Sequence, residues 1–140
     1  MTDADEIAAL IHRYARLLDD RDVDAVVALF EHSTWRSLPV GSTLRGSAEV
    51  RPVYENLIAQ DASHRTKHLL TNLTIDVELG ATTASSHCYW TVLRSVPGGG
   101  IEIALSGQYI DTFEKVDRSW RFTDRLITVD LTGGVTAPGN

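Results

Sequence analysis

Cysteine is all but absent from this chain. Cys88 stands alone, so no internal disulfide can form, and no second Cys or suitably spaced His offers a structural zinc site. Stability must then come from packing. No apolar run comes near the roughly 20 residues that a bilayer-crossing helix needs. The N-terminus, Met1-Thr2-Asp3-Ala4-Asp5-Glu6, is acidic where a secretory signal would be basic. These absences predict a cytoplasmic protein without a membrane partner. Positive charge is also short: 13 Lys and Arg face 19 Asp and Glu for a net charge of -6. No basic cluster exceeds isolated Arg pairs, so nucleic-acid binding lacks its electrostatic basis. What is present, 43% hydrophobic and 23% charged residues in 140, is the composition of a globular chain, and one domain over 1–140 is expected.

From Asp5 to Leu18 the residues Ile7, Leu10, Ile11, Tyr14, Leu17 and Leu18 recur at helical spacing, with Asp3 and Glu6 spaced as a capping box. Asp22 offers a new N-cap, and Val23, Val26, Val27 and Phe30 mark a second short helix. Ser33 to Leu38 reads as a strand that ends in a turn at Pro39-Val40-Gly41-Ser42. Ser47 can cap a third helix through Tyr54, Leu57 and Ile58, where Pro52 should kink the helix or delay its start. Four β-rich stretches follow, Lys67 to Leu79, Thr82 to Ser95, Ile101 to Val116 and Trp120 to Asp130, joined by Gly80-Ala81, Pro97-Gly98-Gly99-Gly100 and Asp117-Arg118-Ser119. They predict antiparallel strands. A bulge near Thr71-Asn72, or a face that is half pocket and half solvent, would explain the parity of the first stretch. The tail from Thr132 to Asn140 reads as mobile. The expected fold is α+β: a cone-shaped barrel of strongly curved antiparallel sheet covered by three N-terminal helices, with a ligand pocket between them.

On a helical wheel Asp20 falls opposite the apolar stripe, whereas Asp19 falls at its edge beside Ala8 and Ala15, whose small side chains leave room for a carboxylate to face a pocket. Asp19 could equally end the helix or pair with an Arg. Of the five histidines no two have metal-ligand spacing on one helix face, and no metal site is expected. His68 opens a strand within Arg65-Thr66-Lys67-His68-Leu69-Leu70-Thr71-Asn72-Leu73, which suits either a core or surface residue or a base. His12 and His32 read as surface residues. A nucleophilic serine finds no G-x-S-x-G elbow, Cys88 has no context that would activate it, and Gly98-Gly99-Gly100 lacks the Lys-Ser/Thr of a phosphate loop.

The stretch from Tyr14 to Asp24, then Arg65-Thr66-Lys67-His68 with Thr71-Asn72-Leu73, then Gly107-Gln108-Tyr109-Ile110-Asp111 and Trp120-Arg121-Phe122 ending at Arg125, resembles the SnoaL-like branch of the nuclear transport factor 2-like superfamily. It is similar to the group that contains scytalone dehydratase, bile-acid dehydratase and hexachlorocyclohexane dehydrochlorinase. The resemblance runs from Ile7 to about Asp130. It implies a deep apolar pocket, cofactor-free chemistry and a homodimer or homotrimer. It also implies that Asp19 orients His68 as the catalytic base, and that Tyr14 and Arg125 occupy the positions of a tyrosine and a late arginine in the bile-acid enzymes. Two departures are plain. The middle strand offers Tyr89, Trp90, Thr91 and Leu93 with no Asp or second His, and Gly107 and Tyr109 stand where the scytalone enzyme has Ser and Asn. Scytalone itself is therefore not the expected substrate.

An imidazole that donates one ring N–H to Asp19 keeps a fixed tautomer and leaves the other nitrogen as a base, suited to removing a C–H proton. Tyr14 or Arg125 could then stabilise a developing enolate or a departing oxygen. Trp35, Tyr54, Leu70, Trp90 and Tyr109 are candidates for an apolar wall, and each could equally be core. The expectation is a dehydratase-like lyase acting on a small apolar cyclic or polyketide-like substrate. An isomerase or cyclase using the same pair, and a non-catalytic small-molecule binder, are the alternatives.

Overall fold

The structure, a computed structural model, describes residues 1–38 and 41–133. Helix α1 (Asp3–Asp19) begins at a capping box made by Thr2 and Asp5, one step from the expected Asp3–Glu6 pair: Thr2 accepts from the Asp5 amide while the Asp5 carboxylate accepts from the Thr2 backbone. Threonine can both accept and leave its backbone N–H for the reply, which suits it to the cap. Ile7, Ile11, Tyr14, Ala15 and Leu18 form the buried stripe. Asp22 caps helix α2 (Val23–Ala28) by accepting from Ala25, as expected. Helix α3 (Gly46–Gln60) starts before its proline, not after it, and runs through Pro52. Its N-cap is Arg45, without a side-chain cap bond, and Ser47 instead donates to Glu31.

The sheet is six-stranded in the order β2-β1-β6-β5-β4-β3, from β1 (Thr34–Ser37), β2 (Ser42–Arg45), β3 (Thr66–Asp76), β4 (Thr83–Ser95), β5 (Ile101–Val116) and β6 (Ser119–Thr132). The α+β class with three helices over one sheet is as expected. Two details differ: the sheet is open, not closed into a barrel, and it is mixed, because β1 pairs in parallel with β6. Strand β2 was not foreseen, because Ser42–Arg45 alternates partly buried and exposed residues without a full apolar face. The three predicted hairpin links hold. Asp117 and Arg118 both have left-handed φ, as a two-residue primed turn demands. Of the tail, Thr132 ends β6, Gly133 bonds back to Ala104, and the rest lies outside the described residues.

Three of the four register breaks among the described residues aim the inner face. Between Thr71 and Thr74 the β3–β4 ladder slips by one residue, with Asn72 at φ 53°, so that His68 and Leu70 before the bulge and Leu73 and Ile75 after it share the covered side. A second shift falls between Ser106 and Gly107. There a Cβ would lie 1.9 Å from the Thr128 carbonyl oxygen and 2.9 Å from the Trp90 ring, so only glycine fits. A third lies between Thr112 and Phe113. The core fills the space between helices and sheet, around Ile7, Ile11, Phe30, Val50, Phe113 and Phe122.

Candidate functional site

Asp19 is the last residue of α1, and that helix end lies against the start of β3. Its Oδ1 accepts from His68 Nδ1 at 2.6 Å and from Thr66 Oγ1 at 3.2 Å, and its Oδ2 accepts from the His68 backbone N–H at 2.8 Å. One carboxylate thus holds both the ring and the backbone of the histidine. Since a carboxylate only accepts, Nδ1 carries the proton in that bond, and Nε2 has no hydrogen-bond partner among the described residues. The side chains are 10% (His68) and 21% (Asp19) exposed. Asp19 lines an open polar groove between α1 and β3 with Arg16, Arg65 and Lys67. His68 lines that groove and also an inner cavity.

The inner cavity, of about 540 Å³, lies between helices and sheet. Tyr14, Trp35, Tyr54, Trp90 and Tyr109 form its aromatic walls, and Val92, Ile127 and Val129 add aliphatic surface. Asn56, Gln60, Asp61 and Arg94 give it one polar side, where Arg94 is paired with Glu102 at 2.6 Å. The hydroxyls of Tyr14 and Tyr54 lie 2.8 Å apart, and Trp35 Nε1–H donates to the Tyr54 oxygen at 3.0 Å. Three protons serve these two hydrogen bonds, so one hydroxyl proton is left over. Burial pushes the Tyr14 phenol up from its ordinary value, with Arg125 opposing, and pushes Tyr54 and Tyr109 up further, so all three are proton donors at neutral pH.

Behind Tyr14 and Tyr109 lies a second charged pair. Arg125 donates through Nε to Asp111 Oδ1 at 2.8 Å and through Nη2 to Oδ2 at 2.9 Å, and both side chains are 0% exposed. Burial raises the Asp111 carboxyl, with Arg125 pulling it down. Burial works against the arginine cation, yet Asp111 outweighs it and Arg125 ends above its ordinary value. The guanidinium carbon sits 3.9 Å from the Tyr109 ring centre and 4.3 Å from that of Tyr14.

Of the residues singled out from sequence, His68, Tyr14, Trp35, Tyr54, Trp90 and Tyr109 line the cavity, and Asp19 reaches it through His68. Two do not reach it. Arg125 is not among the lining residues, because Asp111 and the tyrosine rings enclose it; Leu70 lines the outer groove instead and packs partly against the core. Sequence reasoning missed Thr66 and Asp111. Thr66 shares the parity of His68 two residues on, which was a readable signal. Asp111 faces Arg125 only through the β5–β6 register. Among the described residues no three His, Cys, Asp or Glu gather as a metal site, and no helix is long and apolar enough to cross a membrane.

Three helices over an open, bulged sheet with an aromatic cavity between them define an α+β cavity protein. The model of the SnoaL-like domain matches residues 1–126, and the chain belongs to that family. A nuclear transport factor 2-like protein with a cystatin-like fold from Novosphingobium aromaticivorans is 26% identical, with 91% of this chain and 81% of that one covered and a TM-score of 0.76. From the same organism, a candidate scytalone dehydratase (23% identical, 96% and 89% covered, TM-score 0.76) and a candidate aromatic ring hydroxylase (24%, 94% and 91%, TM-score 0.73) share the fold. No curated protein matches the chain in sequence.

Proposed function

We propose that the chain is a cofactor-independent, dehydratase-like lyase acting on a small apolar cyclic substrate. The observation that carries this reading is the 2.6 Å Asp19–His68 hydrogen bond at the wall of an aromatic cavity. In a β-hydroxyketone, His68 Nε2 takes the proton alpha to the carbonyl, and the C–H electron pair moves into the carbonyl as an enolate. A hydroxyl proton of the Tyr14–Tyr54 pair meets the enolate oxygen. The enolate then expels the β-hydroxyl, which leaves as water with the proton from His68 Nε2, and a double bond forms. Asp19 keeps the imidazole in the tautomer the first step needs and faces the imidazolium that follows. Without a leaving group the same enolate, protonated elsewhere, gives isomerisation or ring closure.

The test is a panel of cyclic β-hydroxyketones and β-haloketones incubated in D₂O, with elimination and deuterium incorporation read by mass spectrometry. His68→Ala should lower either reaction by about 10²- to 10⁴-fold, the range for a positioned general base. Asp19→Asn should lower it by a smaller factor. Ligands that bind equally to wild type and His68→Ala, with neither elimination nor exchange in the wild type, would replace catalysis with a binding role.

A further inference from the structure

The most enclosed charges in the molecule touch no ligand space. Asp111 and Arg125 are buried, neither lines the cavity, and the arginine's remaining amino group, Nη1, has no acceptor among the described residues. A buried ion pair seldom stabilises a fold more than well-packed apolar residues would, so packing alone gives no reason for this one. Its surroundings give another. Tyr14 and Tyr109 stand perpendicular at 5.6 Å, and the guanidinium caps both rings from the corner between them. Tyr14 comes from α1, Tyr109 from β5 and Arg125 from β6, so one cation fixes a helix to two strands at the cavity wall. The fork to Asp111 fixes the cation in turn.

We propose that Asp111 and Arg125 form a positioning pair that acts through Tyr14, holding its ring and favouring its hydroxyl as the oxyanion donor of the cavity, without contact between Arg125 and the substrate. A cation against the face of a phenol ring favours the partial negative charge that builds on the oxygen as its proton is shared. The opposing pull of Arg125 on the buried Tyr14 phenol has the same sense. The planar fork matters as much as the charge, because it sets where the cation lies over each ring. This inference rests on the proposed function for the role of Tyr14, and it adds the residues that prepare Tyr14.

The test needs no substrate. The probes are 4-nitrophenolate, which presents an oxyanion, and 4-nitroanisole, which has the same ring and no charge. Binding is followed by absorbance in wild type, in Tyr14→Phe, in the double variant Asp111→Asn/Arg125→Met, and in all three substitutions together. The double variant leaves no orphaned charge; if it fails to fold, Arg125→Lys, which keeps the charge and loses the fork, takes its place.

Expected are losses of about 10-fold in 4-nitrophenolate affinity for Tyr14→Phe and for the double variant, with 4-nitroanisole changed by less than about twofold. Adding the double substitution to Tyr14→Phe should cost nothing further. Wild-type phenolate binding in the pair variant overturns the positioning role, and so does equal loss of both probes, which marks a structural part only. A further loss on the Tyr14→Phe background overturns it as well, since the pair would then act without Tyr14. If Tyr14→Phe itself binds phenolate normally, the role of Tyr14 in the proposed function falls too. Loss in Tyr14→Phe without loss in the pair variant overturns this inference alone.

Discussion

Two of the molecule's acid–base pairs, at nearly equal hydrogen-bond distance, are treated in opposite ways. Asp19–His68 sits between an open groove and the cavity, is partly exposed, and has one ring nitrogen without a partner among the described residues. Asp111–Arg125 is sealed, bidentate and walled by aromatic rings. A group that must gain and lose a proton needs a free lone pair and a ligand beside it. A group that fixes its neighbours needs full enclosure and no freedom. The difference lies in depth and in the arginine fork, not in the hydrogen-bond distance.

Removing one carboxylate from each pair breaks the comparison most directly. Asp111→Asn leaves a buried guanidinium without a counter-charge and should cost about 3–5 kcal/mol in urea unfolding, enough to threaten folding. Asp19→Asn, at a partly exposed site, should cost about 1 kcal/mol while impairing the proposed chemistry. Equal stability losses would show that the two pairs are not divided between structure and proton transfer.

A smaller effect is read at Cys88, which is buried beside the second pair: burial pushes its thiol up to about 11, with Arg125 and Asp111 acting in opposite senses. At pH 8 only roughly one thiol in a thousand would be thiolate, so a disulfide reagent should label the native protein slowly and the unfolded protein at once. Asp111→Asn should quicken native labelling by opening that half, and Asp19→Asn should leave it unchanged. Rapid labelling of wild type would mean that the second pair is not sealed.

Much of this was readable from residues alone. The apolar stripe of α1, the Asp22 cap and the three hairpin links depend on local spacing, whereas spacing left Asp19 and His68 open to ordinary roles and the family resemblance alone implied that they pair. The Asp111–Arg125 pairing, by contrast, depends on the β5–β6 register, and the bulge between Thr112 and Phe113, which separates the pair from the turn, resets which residues face each other. Arg125, placed at the ligand by the resemblance, instead lies behind the cavity wall beside a partner that spacing does not show. Leu70 belongs to the same class of error, since a parity count does not say whether a covered edge strand meets the cavity or the groove beside it. The parallel β1–β6 pair joins residues about ninety positions apart, beyond any short-range signal.

The central claim is that Asp19 fixes the tautomer of His68 and leaves Nε2 ready to take a proton. Nitrogen-15 NMR of the histidine rings reports which ring nitrogen carries hydrogen, and it requires no substrate. At a pH where the imidazole is neutral, the account predicts Nδ1–H for His68 in wild type and a loss of that preference in Asp19→Asn. An Nε2–H tautomer in wild type, or one unchanged by the substitution, would contradict it.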